Sequence, residues 1–419
     1  MIRIVDSKQV KNILSRKAAR FEEAEGIVRP ILEAVRTRGD TALLEYARKF
    51  DKLERSTVSV PRPELKAAEK KLTPAFRQAV TISSANIRAF AQLQLPVGKS
   101  KLVAPGLRLG QVVRPLDTVA AYIPSGRYPL PSTLLMTVIP AQVAGVPNIC
   151  VASPRVVTEI YGTASLLGVK NVYQMGGAQA IAAFAYGTET VQKADRIVGP
   201  GNIYVAAAKK LLAGEVGIDF IAGPTEILMI ANDGNPRWIA ADMLAQAEHD
   251  TDASAVLLTT SKALALAVAS EIEMQLTTLP TAETARIAID NNSAIILVKS
   301  LDQAVEISNQ FAPEHLSIPD ASLVPAIRHA GSIFIGPNSP EAAGDYSSGP
   351  NHVLPTSGAA RLRGGLSSAD YVKIISTQQL SSTALKTLEP AITTLARAEG
   401  LEAHARSVEA RFDLKKREK

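Results

Sequence analysis

The sequence predicts a mixed α/β fold, with strands and helices alternating over most of the chain and helical segments at both ends. Three observations carry that expectation. From about residue 117 onward, short runs rich in Val and Ile recur between helical stretches. Each run is bounded by Gly, Pro, Asn or Asp, as buried parallel strands tend to be. Several runs are followed at once by a glycine turn that opens a helix.

The expected strands, in order, are Val119–Ile123, Ile149–Ala152, Val172–Met175, Arg196–Val198, Phe220–Ala222, Ile227–Ile230, Val256–Thr259, Ala294–Val298 and Ser332–Ile335. Their alternation with helices implies right-handed βαβ units. Asn235 followed by Pro236 reads as an N-cap with a first-turn proline, opening a helix over Arg237–Glu248. Before residue 100 the pattern is mostly helical: Ile27, Ile31, Leu32 and Val35 share a face until Gly39-Asp40 breaks it. From Ser376 the chain again reads as helix, with no strand signal. No G-x-G-x-x-G follows a strand, so the expected architecture is two Rossmann-like α/β domains with incomplete dinucleotide fingerprints. The expected boundaries are a helical segment 1–20, a first domain from 21–117 and 229–360, a second from 118–228, and a helical segment 361–419.

Composition narrows the function classes. A chain of 419 residues, 46% hydrophobic and 21% charged, is ordinary for a folded protein of more than one domain. No apolar run is long enough to span a bilayer, and the N-terminus lacks the apolar stretch of a secretory leader. The single cysteine, Cys150, sits in an apolar run and reads as a buried core thiol, which fits a reducing cytoplasm. The net charge of +6 owes half its value to the terminal Lys415-Lys416-Arg417-Glu418-Lys419, a solvated tail. With 5% aromatics and mixed charges elsewhere, a nucleic-acid partner is not expected.

The glycine turns are Pro124-Ser125-Gly126, Gly176-Gly177-Ala178-Gln179 and Gly199-Pro200-Gly201-Asn202. Turns of this kind face the ligand crevice of an open α/β sheet, where helix N-termini attract phosphates, so together they suggest a nucleotide cleft. The histidines point to a second chemistry. Only five exist, none before residue 249, and four stand beside acids, amides or glycine turns. Gln246 and His249 are spaced i, i+3, as two ligands of one ion would be. Glu314 pairs with His315, and Asp345 and His352 bracket a Gly/Ser turn. Glu399 and His404 do not share a face of one helix unless Gly400 breaks it. His329 has no acidic neighbour and reads as a surface residue. A metal site would be assembled from distant segments, as open catalytic sites are.

Taken together, these motifs resemble the histidinol dehydrogenase family. The resemblance runs over nearly the whole chain, through Tyr122-Ile-Pro-Ser-Gly126, Gly176–Ile181, Val198–Asn202, Ala222-Gly-Pro-Thr-Glu226, Gln246-Ala-Glu-His249, Pro313-Glu-His-Leu316, Gly344-Asp-Tyr346 and Asn351-His-Val-Leu-Pro355. It implies a homodimer that oxidises L-histidinol through the aldehyde to L-histidine, reducing two NAD with one zinc ion per site. It also implies Gln246, His249, Asp345 and His404 as zinc ligands, His404 reaching the site of the other subunit through an exchanged C-terminal segment. Thr225, Glu314, His352 and Glu399 are implied around substrate together with the ligand residues, and Tyr122, Gln179 and Asn202 at NAD. His315 is implied as base, with Glu314 activating water; an imidazole near neutral pH suits removal of an alcohol proton. Ser125 stands where the family commonly has a second glycine, and Arg363-Gly364-Gly365-Leu366 replaces a serine-rich stretch. Alternatives are a related zinc and NAD dehydrogenase for another small polar alcohol, a zinc hydrolase, and a non-catalytic nucleotide-binding regulator.

Overall fold

The computed structural model describes residues 1–9, 21–125 and 128–412, so Gly126, most of the segment 1–20 and the basic tail lie outside the described residues. The strands are β1 (Arg3–Asp6), β2 (Lys99–Ala104), β3 (Leu107–Pro115), β4 (Thr118–Tyr122), β5 (Asn148–Ser153), β6 (Asn171–Gln174) and β7 (Arg196–Val198). There follow β8 (Gly217–Ile218), β9 (Glu226–Ile230), β10 (Ser254–Thr259), β11 (Ala294–Leu297), β12 (His315–Ile318), β13 (Ser332–Ile335) and β14 (Val372–Leu380). A six-stranded sheet runs β1-β11-β10-β9-β12-β13 and a five-stranded sheet β6-β5-β4-β7-β8, both parallel throughout. A third, antiparallel sheet runs β14-β3-β2.

The chain divides into two compact units, Met1–Leu95 with Leu116–Tyr371, and Pro96–Pro115 with the residues from Val372 on. In the first unit both parallel sheets are covered on their faces by helices, which is why their strands read as continuous apolar runs. Leu228, Ile230, Val256, Leu258 and Ile296 pack on one face of the six-stranded sheet, against Ala304, Val305, Ile307 and Phe311 of the helix Leu301–Phe311. The alternate residues Ile227, Met229, Ala255, Leu257 and Ile295 pack on the other, against the helices Pro236–Ala247, Lys262–Leu276 and Ala282–Asn292. The five-stranded sheet packs against the helix Gly177–Tyr186, whose alanines 178, 180, 182, 183 and 185 are all buried. Asn235 caps its helix as expected, its side chain accepting from the Arg237 N–H at 3.0 Å.

The structure departs from the sequence reading at several points, among them the unexpected strands β2, β3, β8 and β12. The helices Phe21–Arg38 and Asp40–Asp51 bury Val28, Leu32, Val35, Leu43 and Ala47 in the core of the five-stranded sheet, not with the 229–360 segment. Residues 3–6 form a strand rather than helix, paired with β11 almost three hundred residues on. Val372–Leu380 is also a strand, inside the segment expected to be helical. Most of its residues, and all of β2, are exposed, so the apolar alternation of a buried strand is missing. Finally, Phe220–Ala222 is not a strand, because the sheet ends at Ile218 and the Phe220 N–H turns back to the Asp219 carboxylate.

In the second unit, β14, β3 and β2 accompany the helices Ser382–Ala398 and Glu402–Glu409. Gly400, at φ +76°, separates the two helices. Glu399 therefore caps the end of one and His404 lies in the next, so the two residues do not belong to one continuous helix.

Candidate active site

Three elements of the first unit deliver the chemistry to one cavity of about 190 Å³. The first is the pair of adjacent parallel strands β9 and β12, with His315 in register with Ile227. Thr225 precedes β9, and Glu314 and His315 stand at the start of β12, so all three project from the amino edge of the six-stranded sheet. The second is the short helix Glu341–Tyr346, which places Glu341 and Asp345 one turn apart. The third is the end of the helix Pro236–Ala247, which carries Gln246, with His249 just past its last turn. Thr225, His249, Glu314, His315, Asp345 and His352 line the cavity together, along with Pro200 and Gly201 of the third glycine turn.

Hydrogen bonds fix the protons. His315 Nδ1 lies 3.1 Å from the Glu226 carbonyl oxygen, which can only accept, so Nδ1 carries a proton. Its Nε2 is buried without a hydrogen-bond partner and stands 3.7 Å from Asp345 Oδ1. His352 is oriented in the same way, donating from Nδ1 to the Asp345 carbonyl oxygen at 2.7 Å, with Nε2 3.2 Å from the Thr133 hydroxyl. Burial holds His352 below the usual imidazole range despite Asp345. Glu314 Oε2 accepts from Thr225 Oγ1 at 2.6 Å and from the Glu226 N–H at 2.9 Å. Burial nonetheless pushes the Glu314 carboxyl up, against the opposing pull of His315 and these donors.

His315 is surrounded by carboxylates. Glu341 Oε1 is 3.4 Å and Glu314 Oε2 3.6 Å from its Nδ1. Burial opposes a charge on the ring, but Glu341, Glu314 and Asp345 outweigh it and push the imidazole up to about 10. Burial likewise pushes the Glu341 carboxyl up to about 8. The Gln246 amide satisfies its neighbours when its nitrogen faces Glu341, 3.1 Å from Oε2, and its oxygen accepts from Thr225 at 2.7 Å. Thr225 has one hydroxyl proton, so it serves either Glu314 or Gln246 at a time.

Glu341 is the site residue that sequence reasoning missed. It opens a short helix after Ser339-Pro340 with no histidine nearby in the chain, and reads as an ordinary acidic first turn. Its one signal was the four-residue spacing to Asp345. Among the described residues, His315, Glu341 and Asp345 form a cluster whose donor atoms all lie within 4.8 Å of one another. That trio shares only Asp345 with the ligand set expected from the family motifs; Gln246 and His249 border it. His329 lies apart from the cavity, its N–H bound to Asn309.

Of the residues expected at NAD, Gln179 and Asn202 lie on glycine turns and Tyr122 ends the strand before one. Tyr122 ends β4 and its hydroxyl accepts from the Gly177 N–H at 3.2 Å. Gln179 donates to Asp51, which also accepts from the Gly176 N–H. Asn202 caps the helix Ile203–Leu212, accepting from the Tyr204 and Val205 N–H groups at 3.1 Å each. Glu399 and His404 belong to the second unit.

Comparison with known proteins agrees with the motifs. A family model described as histidinol dehydrogenase matches residues 14–412. The histidinol dehydrogenase of Rhizobium meliloti (strain 1021) is 46% identical over 412 residues, covering 96% of this chain and 95% of that one. That of Geobacillus kaustophilus (strain HTA426) is 47% identical over 401 residues, covering 94% and 95%. The crystal structure of histidinol dehydrogenase from Elizabethkingia anophelis superimposes with a TM-score of 0.95 at 37% identity, covering 99% of each chain. With a family model spanning the chain, relatives at nearly half identity and a matching fold, this chain belongs to the histidinol dehydrogenase family, NAD-dependent oxidoreductases that oxidise histidinol in histidine biosynthesis.

Proposed function

We propose that the chain oxidises L-histidinol through L-histidinal to L-histidine, a four-electron reaction that reduces two NAD, with one zinc ion in the cavity lined by His249 and Asp345. The observation that supports this most directly is the buried His315 Nε2, unpartnered and facing the cavity, with Glu314 next to it. His315 takes the hydroxyl proton of the alcohol at Nε2, while its Nδ1–H stays on the Glu226 carbonyl and keeps the ring aimed. In the second half-reaction Glu314 takes a proton from the water that adds to the aldehyde. Burial, which raises its carboxyl above the ordinary carboxylate range, makes it a stronger proton acceptor. When bound, NAD would supply the hydride acceptor for both halves.

The donors suit zinc: the Asp345 carboxylate, the His249 imidazole and the Gln246 amide oxygen are the oxygen and nitrogen donors such an ion takes, with Gln246 buried, Asp345 half-buried and His249 exposed. When bound, the ion would orient the substrate and polarise its reacting centre, and its charge would offset the carboxylates that favour a protonated His315. His404 of the partner subunit is the proposed fourth ligand. Thr225, His352 and Glu399 are the proposed substrate contacts, and Tyr122, Gln179 and Asn202 the NAD contacts. In this reading the six-stranded sheet carries catalysis and the five-stranded sheet the cofactor.

A homodimer is supported by the apolar side chains that the second unit leaves exposed, among them Leu102, Val103, Ile374, Ile375 and Leu395. Cytoplasmic operation is supported by the single cysteine, kept as a buried thiol. The test is a steady-state assay with L-histidinol, NAD and zinc. Two NADH per histidinol consumed is the expected stoichiometry, and absence of NADH formation would overturn the proposal.

A further inference from the structure

We propose that Lys209 and Asp219 are positioning residues for the dinucleotide, their buried ion pair holding the Gly199–Asn202 turn in the shape that presents Tyr122 and Asn202 to it. This rests on the NAD reading above. Lys209 Nζ lies 2.7 Å from Asp219 Oδ1, with the side chains 4% and 0% exposed. Neither partner touches the cavity, and no motif pointed to either.

Each partner also grips the same glycine. Lys209 Nζ donates to the Gly199 carbonyl oxygen at 2.5 Å, and Asp219 Oδ2 accepts from the Gly199 N–H at 2.8 Å. Gly199 is thus held on both sides, at φ +107°, a conformation that favours glycine. A Cβ at that position would overlap the Tyr122 carbonyl oxygen, so the turn is pressed against the end of β4. Tyr122 in turn accepts from the Gly177 N–H, which ties the third glycine turn to the second. Beyond Gly199, Pro200 and Gly201 line the cavity and Asn202 starts the helix that carries Lys209 itself. Arg363 braces the other side, donating to the Asp219 carbonyl oxygen at 2.6 Å and lying over the Phe220 ring at 5.4 Å.

Energetics favour a geometric role over a stabilising one. Removing two charges from water costs about as much as their attraction returns, and apolar pairs of similar volume often replace such bridges without loss of stability. An apolar pair could fill the same space, but it could not bond the N–H and C=O of one residue in fixed directions.

The experiment follows from that difference. The double variant Lys209→Met with Asp219→Leu leaves no buried charge unpaired. It is expected to keep a Tm close to that of the parent while losing its grip on Gly199. NADH affinity by fluorescence titration and KM for NAD should then worsen about ten-fold or more, with kcat at saturating NAD and KM for histidinol changing about two-fold at most. Lys209→Arg, which keeps the charge and a donor, should recover part of the affinity. If the double variant does not fold, Lys209→Met with Asp219→Asn, which also leaves no buried charge and loses the bond to the Gly199 carbonyl, is read in the same way. Unchanged NADH affinity would overturn the proposal, as would a parallel collapse of kcat and both KM values. Asn202→Ser, which keeps a capping oxygen, separates the two claims. If it leaves NADH affinity unchanged, the NAD reading itself fails; if it weakens binding while the pair variants do not, only the positioning role fails.

Discussion

The two parallel sheets of the first unit bring opposite edges to the same cavity. The five-stranded sheet offers its carboxyl edge: Tyr122 ends β4, Gly176 comes two residues after β6, and Gly199 follows β7. Open α/β sheets ordinarily bind ligands there, because the helices that follow the strands begin at that edge and aim N–H groups outward. The six-stranded sheet offers its amino edge, with Thr225 before β9 and Glu314-His315 at the start of β12. Helices end at that edge. His249 lies just past Pro236–Ala247, and Glu314 follows the helix that ends at Phe311. Helix C-termini carry partial negative charge and favour cations. The contrast assigns an electrostatic task to each edge: the positive ends of helices suit an anionic dinucleotide, the negative ends a metal ion and an imidazolium.

If the division is real, damage on one edge should leave the other working. The largest effect is expected from His315→Asn, which should lower kcat by about 10²–10⁴ while NADH still binds, as fluorescence titration would show. Loss of NADH binding in that variant would break the division. Next are Asp345→Asn and His249→Asn, for which zinc remaining after dialysis should fall, with affinity lower by at least ~10-fold. His404→Asn belongs to the same measurement, and stoichiometric zinc retained by that variant would remove His404 from the ligand set. On the carboxyl edge, Gly199→Ala forces a Cβ onto the Tyr122 carbonyl and should cost about 1–3 kcal/mol, read as a lower Tm with weaker NAD binding.

The smallest effect concerns Asp51, which accepts from the Gly176 N–H and Gln179 behind the second glycine turn. Burial pushes its carboxyl from the ordinary 3.8 up to about 6, against those two donors. The unfolded chain therefore gives up this proton near pH 4 and the folded chain near pH 6. Between those values the folded state holds more protons, so this group's contribution to stability falls as pH rises from 4 to 6 and stays lower above. Asn does not titrate, so the stability of the parent relative to Asp51→Asn should decline over that window by at most about 2 kcal/mol. A difference that stays flat with pH would mean that Asp51 is not perturbed.

Legibility followed the range of the interactions. Most strands of the two parallel sheets were readable, since burial on both faces writes a continuous apolar run into the sequence. β12 was not, because it starts with the site itself: His315 and Ser317 break its run. Six of the expected site residues line the cavity: five stood out by their company of acids, amides and glycine turns, and Thr225 came from the family motif alone. Glu341 escaped because its company is purely spatial. Lys209 escaped because Lys209-Lys210 near a helix end reads as solvated, and Lys210 indeed is half-exposed, pairing with Glu25.

The sequence by itself determined the local devices and the kinship: the Asn235-Pro236 cap, the glycine turns behind strands, and the ordered motifs of the histidinol dehydrogenase family. Each of these is settled within a few residues, where periodicity, capping and φ preference act. Only the tertiary structure decided that β1 would pair with β11, that the first helices would cover the five-stranded sheet, and that Glu341 would reach His315. It also decided which edge of each sheet would meet the cavity. Those outcomes depend on contacts between residues far apart in the chain, and such contacts leave no periodic trace in the segments that make them.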